Sequence, residues 1–236
     1  MMQVRYVAKR SLNATDNSVV AYDFSLALGS FSTGSNVGNA NTAFVISAKF
    51  NITFPTNTNY PSCIIRASQV CSVYIDHQGI VEVNCDREAG DVFVPHPSLV
   101  AVEGEENEIS VSWDAAGNYT VTLNGVSDTG TYTIYTSYNF RFVVARANSA
   151  TTTDGYVYDC AFSSAGELIG AWGCHDGSGT TFVDSVGSND MTLGSTGSPL
   201  PYGWGTFTTA HSAGNTYTKQ VTLSGMDRSR KAVRKD

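Results

Sequence analysis

Residues 154–193 read DGYVYDCAFSSAGELIGAWGCHDGSGTTFVDSVGSNDMTL, and the stretch falls into two pieces. In the first, 154–162, aromatic and β-branched residues suit a pleated, half-buried surface, which predicts a strand. The second, 168–193, opens on the apolar run that carries Leu168, Ile169 and Trp172. It continues through Gly, Ser, Asp and Asn, the residues of turns.

The same grammar extends outward. Val20, Tyr22, Phe24, Leu26 and Leu28 alternate with smaller or polar residues and predict a strand, followed by a Gly-, Ser- and Asn-rich loop over 29–41. Strands are predicted over 44–54, 64–67, 70–75 and 80–85, with His77-Gln78-Gly79 as the turn between the last two. The clearest hairpin lies at 109–126. Val111 and Trp113 lead into Asp114-Ala115-Ala116-Gly117-Asn118, and Tyr119, Val121 and Leu123 return to an Asn124-Gly125 turn. Segments 138–146 and 155–162 bring the total to nine or ten strands. Short strands at this spacing, without helical periodicity, predict an all-β sandwich or jelly roll. Trp113 and Phe142 alternate with polar neighbours and are expected in the core between the sheets. Tyr217, Val221 and Leu223 predict a last strand near the C-terminus.

Composition agrees. The 236 residues include 22 Gly, 12 Tyr and 11 Phe, with 15% charged, enough chain for one large sandwich with a sizeable core. Charge is unevenly spread. Residues 11–225 hold 19 acidic and 6 basic side chains, whereas the first ten residues and the last eleven are basic. An acidic body argues against nucleic-acid binding by that body, and the basic ends suit an acidic protein neighbour. No run of 18 apolar residues predicts a membrane-spanning helix, and residues 1–12 do not read as a secretory signal. Cys63, Cys71, Cys85, Cys160 and Cys174 are odd in number and lack metal-site spacing, so packed thiols are expected.

The stretch 154–162 resembles the closing strand of a concanavalin A-like, laminin-G-type lectin domain. The pattern W-x-x-x-G-x-Y-x-V-x-x-N-G, from Trp113 to Gly125, carries the same resemblance. Residues 168–193 resemble the W-x-x-x-D-G-S-G-T-T-x-x-D-S-x-G-x-N-D-x-T-L module that follows such domains in tailed-bacteriophage structural proteins. Residues 4–12 and 211–234 resemble two pieces of the opening of small phage tail proteins. The resemblance implies an N-terminal anchoring segment over 1–17 and a lectin-like jelly-roll β-sandwich over 18–162. It also implies a β-rich, phage-type extension over 163–207 and a C-terminal strand with a basic tail over 208–236. The implied function is that of a non-enzymatic virion structural protein, assembled in the host cytoplasm as a tail component or head decoration. Its partners would be other virion proteins, further copies of itself and a host surface glycan. The runner-up is a glycoside hydrolase on the same sandwich, and the third reading is a non-viral adhesion module.

The hydrolase reading rests on Glu82-Val83-Asn84-Cys85-Asp86-Arg87-Glu88, the nearest approach to the E-x-D-x-x-E strand of concanavalin-like glycosidases. Asn84 stands where a carboxylate is needed. Glu82 and Asp86 lie about 13 Å apart on an extended strand at roughly 3.3 Å per residue. A retaining pair needs about 5 Å and an inverting pair about 6.5–9.5 Å. Asp86 and Glu88 approach the inverting distance only within a cleft. Cys174, His175 and Asp176 are adjacent in sequence, poor geometry for a nucleophilic triad. For glycan binding, Tyr60, Tyr135 and Trp204 sit in turn-like or Gly-rich settings that expose an aromatic face. For calcium, the loop oxygens of Asp114 with Asn118, and of Asp184 with Asp190, are candidate ligands, although turn chemistry also places Asp and Asn there. No other cofactor is implied. For assembly, Arg5, Arg10, Arg228, Arg230 and Arg234 are the candidate contacts.

Overall fold

The structure, a computed structural model, describes residues 18–22, 30–58, 61–68, 70–85, 92–132, 138–146, 153–174, 180–194 and 204–208. All of its regular elements among these residues are strands, and every pairing is antiparallel. No helix among them is long and apolar enough to cross a membrane.

Two large sheets build the body. The smaller has six strands, in the order β11 (Val126–Thr131), β10 (Asn118–Leu123), β9 (Asn107–Trp113), β4 (Phe44–Thr53), β14 (Asp154–Ser164) and β15 (Glu167–Trp172). The larger has eight, in the order β16 (Thr181–Phe182), β17 (Met191–Gly194), β2 (Ser30–Thr33), β13 (Phe142–Arg146), β5 (Ser62–Ala67), β6 (Cys71–Ile75), β7 (Ile80–Cys85) and β8 (Val92–Val100). Two short ribbons complete the set, β1 (Ser18–Tyr22) with β18 (Trp204–Thr208) and β3 (Gly38–Asn39) with β12 (Asn139–Phe140).

Period-2 alternation drives the layering. On β4, Phe44, Ile46, Ala48, Phe50 and Ile52 are buried while their neighbours are partly or fully exposed. Ile109, Val111 and Trp113 repeat the pattern on β9. These faces meet Ile65, Val73, Val83, Phe142 and Val144 of the larger sheet in one core. Phe142 lies 5.2 Å from Trp172 and 6.4 Å from Phe162, ring centroid to ring centroid, so it ties the two sheets directly. Trp113 and Phe142 are buried, as their alternation predicts. All five cysteines are free and buried.

The expected turns form by the expected chemistry. Asn124 (φ 50°) and Gly125 (φ 84°) both take positive φ, the requirement of a two-residue hairpin turn matched to strand twist. Asp76 Oδ1 accepts from the backbone N–H groups of Gln78 and Ile80 and closes the turn at 77–79.

Three sequence expectations are corrected. The loop predicted over 29–41 contains β2 and β3. β2 lies between β13 and β17, whose ladders supply the hydrogen bonds that its Gly- and Ser-rich setting does not advertise. β8 adds a strand that the sequence reading does not include, across Pro95 and Pro97. It lies at the edge of the larger sheet, where a missing N–H costs no ladder bond. β11 continues past the Asn124-Gly125 turn as a polar edge strand. The C-terminal strand predicted from Tyr217, Val221 and Leu223 lies outside the described residues.

At one end the edge strands of the two sheets are clasped by side chains. His96 on β8 is buried, with Nδ1 3.0 Å from Asp128 Oδ2 on β11 and Nε2 3.2 Å from the Tyr119 hydroxyl on β10. Burial, then the neighbouring Cys85 and Asp128, pushes the Tyr119 hydroxyl up to about 12. Gly130 lies opposite Tyr119, and a Cβ there would fall 2.2 Å from the tyrosine ring, so only glycine admits this arrangement.

Candidate functional site

The outer faces of the two sheets are where a ligand can reach a rigid surface, and they differ in chemistry. On the larger sheet, cross-strand partners carry one row from Arg66 on β5 through Ser72 on β6 and Asn84 on β7 to Phe93 on β8. Their neighbours along each strand, Ile65, Ala67, Val73 and Val83, belong to the core, which fixes this row on the outside. Beside it run Tyr74, Glu82 and Pro95. Two short side chains, Ser72 and Asn84, thus lie between two long ones, Arg66 and Phe93. At roughly 4.8 Å per strand the row spans about 14 Å.

Hydrogen bonding in this row is incomplete. Arg66 Nε and Asn84 Oδ1 are buried and have no hydrogen-bond partner. One is a donor and the other an acceptor, and buried polar groups left unmade cost free energy. Arg66 has no carboxylate partner among the described residues, whereas Lys49 pairs with Glu106 at 3.4 Å and Asp159 at 3.6 Å. Glu82 is held above its ordinary value, chiefly by burial and secondarily by Asp76. Phe93 is 44% exposed, with its ring centroid 5.3 Å from that of Tyr74.

On the smaller sheet the outer face is paved with Ser, Thr and Ala. Ser127, Thr122, Ser110, Ser47, Ala161 and Ala171 form one row across all six strands. The next row carries Ser112, Val45 and Ser163, and opens into a groove of about 330 Å³ reached by Asp114 and Asn118. At this groove the Trp113 indole N–H is buried without a hydrogen-bond partner, whereas Asp114 is fully engaged. Asp114 Oδ1 accepts from the N–H groups of Ala116 and Asn118, both at 2.8 Å, and Oδ2 accepts from Asn118 Nδ2 at 2.7 Å. The Asn118 side-chain amide, then its backbone N–H, hold the Asp114 carboxyl below its ordinary value. This carboxylate organises its own turn.

The other calcium candidates are also bound up in turn structure. Asp184 Oδ1 accepts from Ala171 and Val186, its Oδ2 accepts from Asn189, and Asp190 Oδ1 accepts from the Asp184 N–H. Burial acts to raise Asp184, but the backbone N–H groups of Ala171, Val186, Gly187 and Asn189 outweigh it and hold the carboxyl below its ordinary value. The two candidate pairs occupy separate turns. Among the described residues no group of three or more His, Cys, Asp and Glu side chains is placed to hold a metal.

Of the glycan candidates, Tyr60 and Tyr135 lie outside the described residues. Trp204 starts β18 opposite Tyr22, and its side chain is outside them. Arg5, Arg10, Arg228, Arg230 and Arg234 are outside them as well, as are Asp86 and Glu88. The sequence reading singled out Glu82 and Asn84 on β7 but missed Arg66 and Phe93, which register alone places beside them.

No protein-family model matches the sequence, and no curated protein does. Solved structures do resemble it. A candidate carbohydrate binding protein from Bacteroides ovatus ATCC 8483 superposes with a TM-score of 0.54 at 12% identity, over 83% of this chain and 61% of that one. The fold is an all-β jelly-roll sandwich. Lower scores go to a heptameric SAP-like pentraxin from Limulus polyphemus (0.46, 10% identity, 62% of this chain and 76% of that one). Domains LG4-5 of the mouse laminin α1 chain give 0.43 at 11% identity, over 67% of this chain and 45% of that one. The chain spans about three fifths of the Bacteroides structure.

Proposed function

We propose that this chain is a carbohydrate-binding structural protein of a tailed-phage particle, and that its ligand lies on the Arg66–Phe93 row of the larger sheet. The observation that carries the binding reading is the aromatic face of Phe93, 44% exposed and beside Tyr74, with the partly exposed Arg66 further along the row. The exposed face of Phe93 offers the apolar surface against which a pyranose ring stacks. Few pre-ordered polar groups on a rigid sheet suit specific binding at low entropic cost.

The row binds without turnover. Its strand carries Glu82, but Asn84 occupies the position a second carboxylate would need, and an amide neither donates a catalytic proton nor attacks a sugar carbon. The virion assignment is supported by the 168–193 module and the two terminal segments that resemble phage tail proteins. In that reading 1–17 and 208–236 anchor the sandwich to neighbouring virion proteins.

Two experiments test the pair of claims. Arg66→Ala and Phe93→Ala should each lower retention on a saccharide array while the melting curve keeps its shape. Unchanged retention in both would remove the row from glycan binding. Mass spectrometry of purified particles should find the chain at a fixed stoichiometry, and its absence from particles would overturn the virion role.

A further inference from the structure

We infer that the saccharide held on this face carries a protonated amine, seated on the Glu82 carboxylate against the ring of Phe93; the inference rests on the carbohydrate reading and narrows it. Register sets the place. Glu82 on β7 is the direct cross-strand partner of Tyr74 on one side and of Pro95 on the other. Phe93 lies two residues before Pro95 on β8, which makes it a diagonal neighbour of Glu82, within reach of a long side chain. Tyr74 and Phe93 meet with ring centroids 5.3 Å apart, and so raise an aromatic wall across β7 beside the carboxylate. The groups that would touch a ligand are open to solvent: Phe93 is 44% exposed, Pro95 is exposed and Glu82 is partly exposed.

Charge selects the ligand. Among the described residues no hydrogen bond or ion pair engages the Glu82 carboxyl. The nearby Asp76 adds a second negative charge, and His77 stands against Asp76 at 4.0 Å. Burial, then Asp76, holds Glu82 above its ordinary value, and an ammonium group placed there would bring it back down. An ammonium donates charge-assisted hydrogen bonds to a carboxylate and is attracted by the face of an aromatic ring. An acidic sugar would instead set its charge against Glu82 and Asp76, in a chain of formal net charge −7. A hexosamine without its N-acetyl group presents an ammonium beside hydroxyls on one pyranose ring, so the amine reaches Glu82 while the ring lies on Phe93.

The test is a titration of the whole chain with glucosamine and galactosamine oligomers, each as the free amine and as its N-acetyl form. The run is at about pH 7, where a sugar amine keeps most of its proton. Acetylation removes the charge and keeps the ring and its hydroxyls. The amine of one sugar should bind roughly 5- to 30-fold tighter than its N-acetyl form, the range of a partly exposed ion pair joined to a cation–π contact. Glu82→Gln should bring the two forms to equal affinity, and Phe93→Ala should weaken both. Glu105→Gln removes an exposed carboxylate elsewhere on the body and should leave the preference intact. If Glu105→Gln erases the preference as fully as Glu82→Gln, the overall acidity of the body is responsible and the site is wrong. A preference that survives Glu82→Gln would equally remove Glu82 from it. If that variant fails to fold, the ratio on the unaltered chain and on Phe93→Ala still decides. Equal binding of amine and N-acetyl forms by the parent would overturn the inference and leave the carbohydrate reading standing, as would binding of neither by protein that retains other glycans on the array. Folded protein that retains no saccharide at all would overturn both.

Discussion

The two outer faces of this sandwich are built from the same strand chemistry and have opposite polar accounts. On the smaller sheet, small hydroxyl and methyl side chains pave the surface, and the one carboxylate at its groove, Asp114, is saturated by its own turn. On the larger sheet, Arg66 and Asn84 are left with unmet buried atoms and Glu82 is pushed up by burial. Satisfied polar groups contribute stability, and unmet buried ones cost it. Natural folds tolerate such local costs chiefly where function needs them.

The sharpest way to break this contrast is to remove the core both faces stand on. Phe142→Ala, which loses the contacts to Phe162 and Trp172, should cost about 3–5 kcal/mol in denaturant unfolding. A loss under about 1 kcal/mol would mean that the two sheets do not share this core. Next in size is Asp184, a satisfied carboxylate like Asp114. Asp184→Ala strands the N–H groups of Ala171, Val186 and Asn189 and should cost about 1–3 kcal/mol.

A smaller effect, of opposite sign, separates the unmet face. Asn84→Val removes a buried acceptor without a partner, so the variant should be as stable as the parent or more stable, by up to about 1 kcal/mol. A destabilised variant would show that Asn84 is bonded within the fold, contrary to the contrast drawn above.

The subtlest test is the pH dependence of the two carboxylates. The folded-state value of Asp184 is lowered, so its contribution is fully present above the unfolded value near 3.8 and is lost as pH falls through the folded one. The folded-state value of Glu82 is raised, so its charge destabilises the fold above that value, and the cost disappears as pH falls towards the unfolded 4.5. Glu82→Gln should therefore gain stability over the parent at neutral pH, with the advantage vanishing near pH 4.5. An advantage that grew in acid would reverse the sign assigned to Glu82.

Legibility in the sequence followed range. Trp113 announces its burial by alternation over its own strand, and Asn124-Gly125 announces its turn through two adjacent φ angles. The Asp114–Asn118 and Asp184–Asp190 clusters were legible as oxygen-rich loops. Their carboxylates are taken up by N–H groups, a distinction that depends on where those donors point. Arg66 was invisible as a site residue. In the segment Ile64-Ile65-Arg66-Ala67 it reads only as the outward member of a strand, and nothing local places Ser72, Asn84 and Phe93 beside it.

What the sequence determined by itself was the class of the molecule: an all-β sandwich with a mixed aromatic and aliphatic core and turns set by Asp, Asn and Gly. Those features are written in period-2 patterning and in backbone preferences of neighbouring residues. What the tertiary structure decided was which strands became edges, how β2 found its place between β13 and β17, and which side chains share the outer row. Strand register is fixed by ladders between segments distant in the chain, and a shift of one residue would turn Arg66 and Asn84 into the core and Ile65 and Val83 out to solvent. The cost of such a slip locks the register, and the register composes the site.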